Sequence, residues 1–177
     1  MKIIGLSGMP GSGKGVFVEI AKKKEWDVVR MGGVVWDFVK KKGLGLSDEN
    51  VGRVADEERK KHGYCIWAER TLPLIKNEET VIDGIRSVEE IRVFKKHFPD
   101  FIVVSIHSSP GTRFQRIMKR KRVDDIFSKE KFDERDRREF SWGIGNVIAL
   151  ADVMIVNEDS VDDFIGKIEK VLEKMVK

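Results

Sequence analysis

Short apolar runs alternate with amphipathic stretches along this chain, regularly enough to predict its elements. Strands are expected over residues 2–7, 27–31, 80–85, 101–107 and 152–157, each a brief aliphatic block between polar or turn residues. Helical periodicity fills the intervals at 15–24, 34–42, 48–62, 66–76, 88–97, 111–121, 129–140 and 161–176. Strands separated by helices call for crossover connections, the signature of an α/β fold with a parallel sheet. Pro110 sits where it can open a helix, and Gly143 and Gly145 are expected to break one. Two intervals depart from simple alternation. Between Gly32 and Lys76 three helices separate the second strand from the third. Between Arg113 and Arg138 an arginine-rich segment holds the polar loop Val123-Asp124-Asp125-Ile126. No repeat or linker divides residues 1–177, which read as one domain.

The first strand stops at Gly8-Met9-Pro10-Gly11-Ser12-Gly13-Lys14-Gly15, and a helix pattern with Val16, Phe17 and Ile20 follows. A strand, a glycine-rich loop and a helix in that order form the context in which backbone N–H groups converge on phosphate oxygens. Lys14 adds a mobile positive charge for the outer phosphates. The bland alternative is a tight turn with Lys14 merely exposed; three glycines, a proline and a lysine at these spacings argue against it. Gly8, Pro10, Gly11, Ser12, Gly13, Lys14, Gly15 and Val16 are therefore the expected nucleotide contacts. Gly15 stands where most phosphate loops carry the Ser or Thr that ligates magnesium.

Composition narrows the ligand. With 41% hydrophobic content in 177 residues, the chain can bury one core. Charged residues make up 36% of it, yet the net charge is only +4. That balance suits a small anionic ligand and falls short of the basic stripe of a nucleic-acid binder. Cys65 is the sole cysteine, which excludes an intramolecular disulfide and a thiolate metal cluster. No apolar run is long enough to span a bilayer, and the expectation is a cytoplasmic protein. The single glutamine, Gln115, and the abundance of Lys and Glu suggest a heat-adapted source.

Two further constellations carry chemistry. The third strand ends in Val81-Ile82-Asp83-Gly84-Ile85-Arg86. A carboxylate at the end of an apolar strand beside a phosphate loop is placed to hold magnesium, although alone Asp83 could be an ordinary capping residue. Arg86 offers a planar fork for a second phosphate. Arg113, Arg116 and Arg120 follow at i, i+3 and i+7, so one helical face is expected to present three guanidinium groups. The alternative is a solvated face tied by pairs such as Glu134 with Arg138.

These motifs resemble those of the adenylate kinases and their relatives. The phosphate loop with Gly15 after the lysine resembles the adenylate kinase form, although Val16 stands where that family usually has threonine. Asp83-Gly84-Ile85-Arg86 is similar to its D-G-F-P-R signature with the proline deleted. Arg116 and Arg120 reproduce the R-x-x-x-R spacing that opens the family's lid. Arg122-Val123-Asp124-Asp125 resembles the R-V-D-D of short-lid uridylate and cytidylate kinases, in which further arginines follow as Arg135 and Arg138 do here. The strand and helix after Ala151 are similar to the end of nucleotide kinases and dephospho-coenzyme A kinases, where Asn157 would border the adenine. Over nearly its full length, including the 143–152 stretch from which no chemistry is read, the chain resembles an archaeal family of adenylate kinase-related P-loop proteins.

The resemblance implies a three-layer α/β/α sandwich, nucleoside monophosphate kinase-like, around a five-stranded parallel sheet of order 2-3-1-4-5. An acceptor-binding flap would span about 32–76 and a lid about 113–138. ATP and Mg2+ would be bound, with Asp83 on the metal. Lys14, Arg86, Arg116, Arg120 and Arg122 would act on the phosphoryl group, and a nucleoside monophosphate or similar phosphate would receive it. The acceptor side departs from the family: Gly33 and Trp36 stand where it has aspartate and arginine, and Glu90 where it reads adenine with glutamine. Trp36 is either a stacking platform for a base or a core anchor. The second class of function is an ATP-driven switch or assembly factor with a protein or RNA partner; a third is nucleotide binding without turnover. His62, His97 and His107 show no metal-ligand spacing, Trp26, Trp67 and Trp142 read as packing, and Tyr64 with the run 56–61 reads as exposed helix.

Overall fold

The computed structural model describes residues 1–120 and 128–176. Five parallel strands, β1 (Lys2–Ser7), β2 (Asp27–Arg30), β3 (Glu79–Ile85), β4 (Ile102–His107) and β5 (Val153–Val156), form one sheet of order β2-β3-β1-β4-β5. This is the order the resemblance implies. The helices are α1 (Lys14–Lys23), α2 (Met31–Lys41), α3 (Asp48–His62), α4 (Ile66–Thr71), α5 (Val88–His97), α6 (Pro110–Arg120), α7 (Lys129–Ser141), α8 (Ile144–Ala149) and α9 (Val161–Val176).

Strand alternation divides the core in two. Ile4 and Leu6 of β1 face Phe17 and Ala21 of α1 and Phe164, Ile168 and Leu172 of α9. Ile3, Ile82 and Val103 face the opposite layer, built by Val35 and Val39 of α2, Val54 of α3, Trp67 of α4, Phe94 of α5 and Val147 of α8. Because β1 lies in the middle of the sheet, Ile3, Ile4 and Leu6 are all fully buried. A smaller cluster of Ile117 and Phe132, with Phe114, joins α6 to α7.

The strand ends set the site. Parallel pairing places Leu6 opposite Asp83, and Arg30 opposite the same Asp83, so the carboxyl ends of β1, β2 and β3 meet there. Ligands of open α/β sheets sit at such ends.

The helices differ from the sequence pattern in several places. Helix α2 starts directly after β2 at Met31, so Gly32 and Gly33 lie inside it. Helix α4 stops at Thr71 and gives way to a 3-10 turn, Leu72–Leu74, because Pro73 cannot donate to the α-helical ladder. Gly143 does not simply break a helix: its left-handed backbone (φ 96°) ends one and starts α8, which packs on β1 and β4. Gly145 lies within α8. The run 56–61 is not simply an exposed face either, since Glu58 and Arg59 are buried. Among the described residues, no helix is long and apolar enough to cross a membrane.

Candidate functional site

The phosphate loop folds as its glycines require. Gly11 (φ 84°) and Gly13 (φ 114°) are left-handed. A Cβ on Gly11 would stand 2.8 Å from the Arg113 carbonyl oxygen, and one on Gly13 would stand 2.3 Å from Asn157 Nδ2. Gly13 caps α1 without a side-chain bond, and no acidic residue occupies the first turn. The helix therefore starts with unneutralised amides and the positive end of its dipole, which favours an anion.

Lys14 is the first residue of α1, and its Nζ donates to the carbonyls of Gly8 (2.5 Å) and Met9 (3.3 Å). Burial lowers its pKa to about 8, partly offset by the charges of Asp83 and Glu139. A lysine that is costly to keep charged gains strongly from an incoming phosphate.

Arg113 and Asn157 brace the loop from outside, and Arg116 reaches it through Asn157 and Ser108. Arg113 is 2% exposed, donates to the Pro10 carbonyl (3.1 Å) and makes two bonds to Asp136 of α7. Asn157, just past β5, donates from Nδ2 to the Ser12 carbonyl at 2.8 Å. Arg116 donates to Ser108 Oγ (2.9 Å), to the Asn157 carbonyl (3.1 Å) and to Asn157 Oδ1 (3.3 Å). The expected face of three guanidinium groups is thus corrected, for Arg113 is a buried prop of the loop. Arg116 lies against Asn157, half-buried, and Arg120 is half-buried at the last described turn of α6. Arg122, with the Val123-Asp124-Asp125 motif, lies outside the described residues.

Opposite the loop, Asp83 has a buried Oδ1 without a hydrogen-bond partner, and Arg30 Nε lies 3.9 Å from its Oδ2. Ser12 Oγ is a second buried oxygen without a partner. Among the described residues no cluster of three or more His, Cys, Asp or Glu could hold a metal. One carboxylate fits a magnesium ion that keeps waters and takes its other ligands from phosphates.

Sequence reasoning missed the acidic side of the cleft. Glu139 of α7 is 3% exposed and accepts from Arg86 Nε at 2.8 Å. Burial raises the Glu139 pKa, but Arg86, Arg135 and Lys14 together hold it below the usual carboxylate range. Arg86 also donates from Nη1 to the Gly84 carbonyl (3.0 Å), and Glu139 holds its pKa above the ordinary value against the cost of burial. Glu90 is fully buried. It accepts from Arg59 (3.2 Å) and from the backbone N–H groups of Arg86 and Ser87, while Ser87 Oγ accepts from the Glu90 N–H. That is a capping box on α5, legible as S-x-x-E, and it leaves Glu90 no part in base reading. Burial pushes the Glu90 carboxyl up, against the opposing pull of Arg59. Trp36 is 40% exposed on the open side of α2, so it is not a core anchor. Trp142 is buried packing, with the Arg59 guanidinium 4.4 Å from its ring centroid.

A family profile described as an AAA domain matches residues 4–138, the span from β1 through most of α7. The UPF0200 protein of Thermoplasma acidophilum is 47% identical over 96% of this chain and 94% of its own. The chain belongs to the UPF0200 family. Another UPF0200 relative, from Archaeoglobus fulgidus, is 42% identical over the whole of this chain, which covers 57% of that protein; it is a UPF0200/UPF0201 protein. Among solved structures, shikimate kinase from Acinetobacter baumannii superposes with a TM-score of 0.61 at 14% identity, covering 99% of this chain and 93% of that one. The likeness is one of fold, and the fold is that of P-loop kinases.

Proposed function

We propose that this UPF0200 protein is an ATP-dependent phosphotransferase. The observation that carries the reading is the meeting of Lys14 and the open amides of α1 with Asp83, whose buried Oδ1 has no partner in the protein. The β- and γ-phosphates of ATP would lie along residues 8–16, with Lys14 released from the Gly8 carbonyl to the phosphoryl oxygens. Mg2+ held through Asp83 would offset charge on the β- and γ-phosphates. Asn157 would act as a strut between the loop and β5, beside the donor base. Arg116, Arg120 and Arg122 would close over the phosphoryl group from residues 113–138, and the segment 32–76 would bear the acceptor. A nucleoside monophosphate is the acceptor that the adenylate kinase-like motifs suggest, with Trp36 as a surface for its base.

The test is turnover. Purified protein with Mg·ATP should release ADP in step with a phosphorylated acceptor, and Lys14→Ala should abolish both. ADP formation that survives in Lys14→Ala would assign the activity to a contaminant.

A second reading, a slow ATPase that signals to a protein partner, is favoured by the Archaeoglobus relative, which joins UPF0200 and UPF0201 in one protein. ATP hydrolysis stimulated by a UPF0201 protein, with no phosphorylated acceptor, would establish it.

A further inference from the structure

The arginines around the acceptor side already have their anions. Arg86 is held by Glu139 (2.8 Å), Arg59 by Glu90 (3.2 Å), and Arg135 (3.3 Å) and Arg138 (2.8 Å) both by Asp48 of α3. The side chains of Glu139 and Glu90 are 4% and 0% exposed, so neither can turn to water when its partner leaves. Trp36 adds no cation where the related kinases have an arginine, and Arg30 lies beside Asp83 instead. A phosphate dianion entering between these pairs would have to take Arg86 from Glu139. It would then stand next to a buried carboxylate stripped of its hydrogen-bonded arginine, an arrangement that costs more than the exchanged bond returns. In the related kinases the matching arginine grips a phosphate; here a protein carboxylate has the place.

We infer that Glu139 is a specificity-determining residue that occupies Arg86 and reserves the acceptor site for a hydroxyl group on a molecule without a phosphate. The inference rests on the phosphotransferase reading and replaces the nucleoside monophosphate that the motifs suggest with a phosphate-free hydroxyl acceptor. In the step it describes, the hydroxyl oxygen forms a bond to the γ-phosphorus of ATP. The bond from that phosphorus to the β,γ-bridging oxygen breaks and ADP leaves with the electron pair. The hydroxyl proton passes to an oxygen of the transferred phosphoryl group. The unlike fates of the two carboxylates fit this role. Glu90 has its oxygens occupied by the α5 capping box as well as by Arg59, whereas Glu139 has Arg86 as its hydrogen-bonded partner and feels the charge of Lys14. Glu139 is a local device of the site, while Glu90 belongs to the architecture.

The experiment compares wild type with Glu139→Gln, which keeps the shape and removes the charge. Calorimetry with AMP in the presence of Mg·ADP reads the acceptor site. Transfer from radiolabelled ATP to AMP, CMP, UMP and GMP, and to the matching nucleosides and simple polyols, reads the reaction. Wild type is expected to bind AMP weakly and to phosphorylate no monophosphate, and E139Q to bind AMP at least about tenfold more tightly. Arg86→Gln in the E139Q background should cancel that gain. Unchanged AMP affinity in a folded E139Q protein overturns the inference. Efficient transfer to a monophosphate by wild type also overturns it, yet leaves the phosphotransferase reading intact. Absence of transfer to every acceptor sinks the phosphotransferase reading instead, and the AMP affinities of the two proteins still decide the role of Glu139.

Discussion

One nitrogen of Arg138, Nη2, lies 2.8 Å from both carboxylate oxygens of Asp48, ninety residues earlier in the chain. The contact ties the first turn of α3 to α7 beside the cleft. It depends on Gly52, since a Cβ there would stand 2.6 Å from the Arg138 guanidinium. Arg135 meets the same carboxylate from the preceding turn of α7.

Removing that carboxylate should free the start of α3. Asp48→Ala is expected to cost about 1–2 kcal/mol, because the pair is only three-quarters buried and water recovers part of the loss. Hydrogen exchange in α3 should speed up while α9, on the other face of the sheet, stays as protected as before. Equal acceleration in both helices would show that the tie is global rather than local.

Arg113 and Asp136 make a deeper pair, and their role is to hold the loop. Asp136→Ala would leave Arg113 buried without its charge partner, at a cost of about 3–5 kcal/mol. In a chain of this length that is a fall of roughly 10 °C in the melting temperature. A thermal scan checks it, and a shift below about 2 °C would mean that Arg113 finds another partner.

Asn157 is expected to act through the loop rather than on the adenine alone. Asn157→Ala removes the bond to the Ser12 carbonyl and part of the support of Arg116. The expected result is a loss of about 1–3 kcal/mol in stability and a several-fold weaker ATP affinity. GTP affinity should fall by the same factor. A change that spares GTP would assign Asn157 to base reading instead.

Lys14 should make nucleotide binding pH-dependent. Its lowered pKa, about 8, means that the free protein carries the charge below pH 8 and loses it above. Binding of an anion favours the charged form, so affinity should be full below pH 8 and decline as pH rises beyond it. Above pH 8 binding should take up a proton, visible as a dependence of the binding heat on the buffer. Lys14→Arg should remove both effects.

Much of the fold was legible because its cues are local. The apolar blocks at β1, β3 and β4 and the glycine-rich loop are contiguous, and periodicity marks them without reference to the rest of the chain. Asp83 was legible for the same reason, being the carboxylate that directly follows the apolar run Val81-Ile82 within β3. The acidic side of the cleft was not. Whether Arg59, Glu90 or Glu139 is buried depends on partners 31 and 53 residues away, and no local period records such a distance. Ser87-Val88-Glu89-Glu90 is the instructive case. It carries the sign of a helix start in four residues, while the resemblance to the adenylate kinases points to the base pocket instead. Helix α8 escaped notice because Gly143 and Gly145 read as breakers, while the left-handed backbone at Gly143 serves as its N-cap.

The central claim is that the loop ending in Lys14 binds the phosphates of Mg·ATP with help from Asp83. The most direct measurement is calorimetric titration of wild type, Lys14→Ala and Asp83→Asn with ATP, with and without magnesium. Wild type should bind, and Lys14→Ala should bind about 10–100-fold more weakly with or without the metal. Asp83→Asn should lose affinity only when magnesium is present, by about 10–100-fold. Equal affinity in all three proteins would contradict the account.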